Sequence, residues 1–186
     1  MIHYIKGDVI KALETNKITS IAHQCNCTVG MSNGVAKVIN NKFDGIHLFD
    51  KNIRELDNPI GTSHKYKIDR DKTIYNMYSQ YYPGPPSSKL FNYKLALSIY
   101  NDYRFGNLEV PDSHYNRINI LAECLKQIKD DVSANNIKLG IPLIASGLGA
   151  DKSLKRSLSD LEYFKQFIDP IVKDIFKEVD IYVYYL

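Results

Sequence analysis

The chain of 186 residues contains no tryptophan and only three cysteines, Cys25, Cys27 and Cys124. An odd set of thiols without a spaced framework excludes a disulfide scaffold and fits a reducing compartment. No apolar run is long enough to cross a bilayer. Met1 is followed directly by a strand-like segment rather than by a charged leader and an apolar stretch. A soluble, cytoplasmic protein is therefore the expectation. There is also no excess of one charge: 24 Lys and Arg against 21 Asp and Glu leave a net charge of +3, with both signs interspersed. That balance does not indicate an extended nucleic-acid surface. No internal repeat or flexible linker is evident, and the length matches one ordinary domain, 1–186.

Two glycine-bearing loops stand against these absences: HQCNCTVGMSNGVA over residues 23–36 and IPLIASGLGAD over residues 141–151. Each follows a short apolar run and precedes a helix-like segment. Backbone N–H groups at such a helix entrance bind phosphate without a basic side chain. Two loops of this kind, far apart in sequence, point to a pocket for a diphosphate-containing ligand.

The rest of the pattern alternates strands and helices. Strands are expected over 2–6, 20–24, 64–68, 73–78, 138–144 and 180–186, with 69–72 as the turn of a strand pair. A short helix or turn is expected over 9–13. A helix over 34–43 would share one face among Val35, Val38 and Ile39. Phe91 to Tyr100 reads as a further helix. A longer helix over 115–132, capped by Asp112 or Ser113, carries a stripe of Ile118, Leu121, Ala122, Leu125 and Ile128. The last helix is expected over 157–176. YYPGPPSS from Tyr81 and the stretch 105–113 read as loops. This order favours a three-layer α/β/α domain with a mixed central sheet. In such sheets ligands collect beyond the carboxyl ends of the strands, where both glycine loops fall.

Several residues are able to carry chemistry, each with a plainer role beside it. Asp8, in KGDVI, can accept a hydrogen bond from an exocyclic amine or bond its own turn backbone. His23, Cys25 and Cys27 alternate and would share one strand face. Zinc would need a fourth ligand that no CxxC or HxxxH unit supplies, so no metal is expected. No pattern marks a low-pKa thiolate. Asn26 can orient a ribose hydroxyl or a water, or stabilise its loop. Gly30 and Gly34 permit close backbone approach or positive φ. In the second loop, Ser146, Gly147 and Gly149 let the backbone curve around phosphate oxygens. Asp151 can activate water, or be the acid favoured at a helix entry. Tyr81 and Tyr82 can cover a ribose or adenine, or simply form a surface loop. The terminal IYVYYL reads as sheet packing.

Taken together, the order of Gly7-Asp8, HQCNC leading to GVA, the NMYSQ strand and SGLGAD resembles the macrodomain family over almost the whole chain. Macrodomains bind ADP-ribose or its derivatives in a cleft above a mixed sheet. The resemblance implies that Asp8 recognises adenine with the Val9 backbone nearby, and that Asn26 faces the distal ribose. It puts Gly34 and Val35 in the first diphosphate-facing loop and Ser146, Gly147, Leu148, Gly149 and Ala150 in the second. HQCNC and the terminal VYYL look closest to the ADP-ribose-1″-phosphate phosphatase branch, whose histidine maps onto His23. His23 and Asp151 are then the catalytic candidates, either of them positioning or deprotonating the attacking water. A related terminal ADP-ribose glycohydrolase branch uses a lysine after the middle strand, where this chain has Gln80. The first loop reads MSNG rather than a dense run of glycines, and 89–108 resembles an insertion. The resemblance implies no cofactor. The expected activity is hydrolysis of an ADP-ribose derivative, with ADP-ribose-1″-phosphate as the first substrate; the alternatives are a de-ADP-ribosylating glycohydrolase or deacylase acting on a modified macromolecule, and a non-catalytic ADP-ribose-binding module.

Overall fold

A computed structural model describes residues 1–27, 34–43, 60–81, 84–86, 112–147 and 149–186. Gly30, Leu148, Tyr82, the helix expected from Phe91 to Tyr100 and the insertion expected over 89–108 lie outside the described residues.

Within them, six strands form one sheet: β1 (Ile2–Lys6), β2 (Ser20–Asn26), β3 (Ser63–Lys67), β4 (Thr73–Gln80), β5 (Leu139–Pro142) and β6 (Ile181–Tyr185). Their spatial order is β1-β6-β5-β2-β4-β3. All neighbours run parallel except the edge strand β3, which is antiparallel to β4. The described helices are α1 (Val9–Glu14), α2 (Gly34–Lys42), α3 (His114–Ala134), α4 (Lys152–Lys155), α5 (Asp160–Phe167) and α6 (Asp169–Ile175).

The period of two along each strand sorts the side chains between two cores. Ile21, Ile74 and Tyr184 face α1 and α2, where they pack with Val9, Leu13 and Ile39. Their sequence neighbours Ala22, Tyr75 and Val183 face the other side, against Leu121, Leu125, Phe164 and Val172 of α3, α5 and α6. The sheet is thus covered on both faces, as a largely parallel sheet requires, and the expected α/β/α layering with a mixed sheet is what the chain adopts.

Local chemistry sets the helix boundaries. Asp8 caps α1, its Oδ1 accepting the Ile10 N–H at 2.7 Å and the Lys11 N–H at 3.3 Å. Of the two candidate caps for α3, Ser113 is the one used: its hydroxyl accepts the Asn116 N–H at 3.1 Å. The single helix expected over 157–176 is instead α5 and α6, with the separate turn α4 before them. Ser159 and Glu162 form a capping box that starts α5 afresh. Pro170 has no N–H to continue the ladder of α5, yet sits without cost in the first turn of α6. Val38 is a second correction. It is exposed, while Ile39 is fully buried and Val35 partly so.

β5 and β2 pair over only two positions, Ser20 with Leu139 and Ile21 with Gly140. At that crossing a Cβ on Gly140 would lie 2.3 Å from Ile18 Cδ1 and 3.2 Å from Val9 Cγ2. Gly140→Ala should cost about 1–3 kcal/mol of stability through overpacking. Urea unfolding measures this, and the same substitution in an Ile18→Val background, which removes the obstructing methyl, should cost less than half as much.

Candidate functional site

The carboxyl ends of β1, β6, β5, β2 and β4 lie along one end of the sheet because these strands are parallel. From β2 the chain moves outward to β4, and from β5 it moves outward to β6 on the opposite side. The crevice between β2 and β5 is therefore the topological switch point of the sheet, the usual ligand position in such folds.

A cleft of ≈350 Å³ lies at this end, lined by Asp8, Val9, Val35, Val38, Pro142 and Tyr184 among others. Its lining side chains are apolar apart from Asp8 and Tyr184. The two carboxylate oxygens of Asp8 differ. Asp8 Oδ1 is occupied by the first turn of α1, whereas Oδ2 takes no hydrogen bond among the described residues. One carboxylate thus serves as helix cap and still presents an acceptor, so the two roles proposed for Asp8 do not compete. Tyr184 belongs to the terminal aromatic strand. Period-two alternation turns it toward α1 and into the cleft, while Val183 goes to the opposite core.

Two groups of backbone donors belong to elements that reach the cleft, α2 at Gly34 and the second loop at Pro142. α2 opens at Gly34, whose φ of +64° only glycine adopts freely. The N–H groups of its first turn have no intrahelical acceptor. On the other side, the second loop folds back from Pro142 through an Ile144 N–H to Pro142 C=O bond of 2.6 Å. Ser146 is fully buried and donates from its hydroxyl to the Ile144 carbonyl at 3.1 Å. Ser146 is thereby a strut of the loop rather than a free ligand group. The N–H groups of Gly147 and Gly149 find no acceptor among the described residues. A Cβ on Gly149 would stand 2.9 Å from Gln80 Oε1, so the loop approaches β4 closely enough that the Gln80 side chain would have to shift for any larger residue. Ala150 is buried and donates its N–H to the Gly147 carbonyl at 3.1 Å.

Three side chains that motif reading passed over hold this loop in place. Gln24 bridges the opening between β2 and β5. Its Oε1 accepts the Ala145 N–H at 3.2 Å and its Nε2 donates to Ser79 Oγ at 2.9 Å. Ala145 sits at φ +58°, a conformation costly for a residue with a Cβ, and this bond helps to hold it there. Arg117 is buried in a bidentate pair with Asp112, both N–H···O distances being 2.6 Å. Its Nη1 also donates to the Gly84 carbonyl at 2.7 Å and to Gln80 Oε1 at 3.2 Å. His114, at the start of α3, accepts at Nδ1 from the Tyr163 hydroxyl at 2.8 Å, and that hydroxyl accepts the Asp151 N–H at 3.2 Å. Burial lowers the His114 pKa, which agrees with a neutral ring accepting through Nδ1.

The two candidate catalytic residues are in different environments. Asp151 is partly exposed at the end of the second loop and caps α4. Its Oδ1 accepts from the Ser153 N–H at 2.8 Å and the Ser153 hydroxyl at 2.6 Å. The Ser153 hydroxyl is the largest cause of a pKa held below the usual carboxylate range. His23 is 1% exposed in the middle of β2, with Nε2 at 2.6 Å from Asn76 Oδ1 of β4. Burial lowers its pKa to about 4, against smaller opposing contributions from Asn76 and the Gln24 backbone. No contact among the described residues joins His23 to Asp151. Cys25 shares the His23 face, with Sγ 3.7 Å from Nδ1, and burial raises its pKa well above the ordinary thiol value. Asn26 ends β2 just past a register shift: Cys25 pairs with Tyr78 and Asn26 with Gln80, so that β4 carries the extra residue, Ser79. Tyr81 is buried.

No family model matches the sequence, and no curated protein is detectably similar to it. Solved structures are similar in fold. A Bacteroides thetaiotaomicron protein of unknown function has a TM-score of 0.66 at 19% identity, over 100% of this chain and 98% of its own. The macrodomain of Mycobacterium tuberculosis DarG has a TM-score of 0.62 at 16% identity, over 100% and 98%. Thermosipho africanus DarTG, solved in complex with ADP-ribose, has a TM-score of 0.59 at 13% identity, over 98% of this chain and 41% of its own. The fold is that of the macrodomains.

Two outcomes follow from the buried groups. Arg117→Ala leaves the Asp112 carboxylate buried without its partner and should cost about 3–5 kcal/mol in urea unfolding. Adding Asp112→Ala should restore part of that loss, because no unpaired charge then remains. Because His23 is held neutral down to about pH 4 when folded but protonates near pH 6.5 when unfolded, the unfolded state binds the extra proton first. Stability should therefore fall as the pH drops from about 6.5 towards 4, by a contribution on the order of 3 kcal/mol. Comparing urea unfolding of the wild type and His23→Gln at pH 7 and pH 4.5 isolates this contribution, since the variant lacks the imidazole.

Proposed function

We propose that the chain is a macrodomain protein that binds ADP-ribose or a derivative in the apolar cleft between α1, α2 and the second loop. The observation that carries this reading is the pairing of an apolar cleft, closed by one carboxylate acceptor, with two sets of backbone donors at the switch point. Adenine has a large apolar face and an exocyclic amine, and Asp8 Oδ2 is an acceptor for that amine. The α2 entrance and the N–H groups of Gly147 and Gly149 suit a diphosphate, which needs donors rather than balancing side-chain cations. Asn26, at the end of β2, would face the distal ribose. The presence of ADP-ribose in the Thermosipho africanus DarTG structure supports the same ligand here.

Hydrolysis is the second reading, favoured by the ionised Asp151 at the end of the diphosphate loop. ADP-ribose-1″-phosphate is the first substrate, and an ADP-ribosylated macromolecule the other class. Asp151 would orient the attacking water, while loop N–H groups stabilise charge developing on the phosphate or ribose oxygen. His23, held by Asn76 inside the sheet, would act on the site through the position of β2 and β4 rather than by touching substrate.

Calorimetry with ADP-ribose is the direct test of the cleft. Asp8→Ser keeps a helix cap but removes the carboxylate, and should weaken ADP-ribose binding by about tenfold or more. Its inosine counterpart, which lacks the amine, should bind wild type comparably weakly; equal affinity for the two ligands would remove Asp8 from adenine recognition. For hydrolysis, multiple-turnover product formation is measured with ADP-ribose-1″-phosphate, O-acetyl-ADP-ribose and ADP-ribosylated protein. Asp151→Asn, which also preserves a cap, should lower kcat by about 100-fold or more with little change in ligand affinity. Tight ADP-ribose binding without turnover of any of the three would leave a binding module.

A further inference from the structure

A second cavity of ≈380 Å³ abuts the apolar cleft on its β1 side, over the edge of the sheet. Gly7, Asp8 and Tyr184 line both. The second cavity differs in chemistry from the first. Lys6, Lys11 and Lys17 surround it, with Asp8 as the one acid among its lining residues. None of these three ammonium groups has an ion-pair partner among the described residues. The acid on α1 that might have served, Glu14, is engaged 2.6 Å from Lys42 of α2. Asp8 is itself turned to the backbone of α1 through Oδ1. The local charge is thus positive on a chain whose overall charge is nearly balanced.

The wall between the two cavities carries an independent sign of a ligand. Tyr184 is only 5% exposed, yet its hydroxyl has no hydrogen-bond partner among the described residues and is not sealed from solvent. A phenol hydroxyl on a nearly buried ring ordinarily finds a partner. Tyr184 lines both cavities. Burial raises the Tyr184 pKa and the nearby Tyr182 adds to it, so the hydroxyl remains a donor at neutral pH. Tyr182 lines the second cavity too, and its ring is held by a stack on His3 at 5.2 Å between centroids. The cavity therefore combines a phenol donor and three cations with a single acid, Asp8. The chemistry that fits such a set is a multiply charged oxyanion.

We propose that this cavity is an anion subsite that takes a phosphate group carried on the adenosine ribose of the ligand held in the apolar cleft. The inference rests on the reading of that cleft as an ADP-ribose site, because the shared wall of Gly7, Asp8 and Tyr184 puts the subsite next to the adenosine end. The diphosphate, by contrast, belongs to the glycine loops on the far side of the cleft. The preferred ligand is then an ADP-ribose bearing an additional phosphomonoester on its adenosine ribose.

Affinities of the full chain for ADP-ribose, its 2′-phosphate and its 3′-phosphate, measured by calorimetry at two salt concentrations, test this. One of the phosphorylated forms should bind at least about fivefold more tightly than ADP-ribose at low salt, with the gain shrinking at high salt. In Lys11→Ala/Lys17→Ala the gain should disappear while ADP-ribose affinity stays within about twofold of wild type. In Tyr184→Phe the ratio between the two ligands should fall. If ADP-ribose binds and neither phosphate adds affinity, or if the gain survives in the double lysine variant, the subsite is overturned and the cleft reading stands. If none of the three ligands binds, both readings fall.

Discussion

The brief pairing of β2 with β5 is the constraint on which the site depends. The two strands share only Ser20–Leu139 and Ile21–Gly140 before they part. Beyond that point the sheet would expose unpaired backbone, and a buried amide without a partner costs more than a hydrogen bond returns. The chain resolves this with a side chain. Gln24 spans the gap, meeting the Ala145 N–H on one side and Ser79 on the other. The second loop is thereby anchored in the crevice rather than over it. Gly140 makes the crossing tight enough that Ile18 and Val9 lie where a Cβ would be. The cleft is in this sense a consequence of two strands being allowed to touch and then compelled to separate.

Around that crevice polar groups divide the work. Those that are fully buried are structural: the Arg117–Asp112 pair joins the segment after β4 to the start of α3, and Ser146 closes its own turn. Tyr163 connects His114 to the exit of the second loop. Among the groups left with spare capacity, Asp8 and Tyr184 line the cleft, and the N–H groups of Gly147 and Gly149 lie in the loop that leaves it at Pro142. A rigid ring of satisfied groups carrying a few unsatisfied ones is what a preorganised binding site requires. The division also separates binding from chemistry. Recognition of a dinucleotide-like ligand is supported by several independent groups, whereas hydrolysis rests on Asp151, whose carboxylate is already engaged with Ser153.

Much of the fold was legible in the residues. The two glycine loops follow β2 and β5 as the apolar runs indicated, and the strand pair around 69–72 is present. Helix ends were legible where a cap was distinctive, as at Ser113, and illegible where two caps and a proline subdivided one apolar pattern, as over 157–176. Periodicity marks a continuing face, but it does not register a break that preserves the face. The structural residues Gln24, Arg117 and His114 escaped motif reading because each bonds another element of the fold, at Ala145, Gly84 and Tyr163 respectively, and nothing local marks such a partner.

What the sequence determined by itself is the class of fold, the position of two glycine-bearing loops after β2 and β5, and the acidic cap after the first strand, since each follows from local composition and period. Only the tertiary structure decided which of these groups meet. It turned Tyr184 into the cleft by the parity of β6, and it sealed His23 against Asn76 by the parity of β2. Position along a strand is written in the residues, but which face of the sheet looks onto a ligand depends on what the other strands and helices cover.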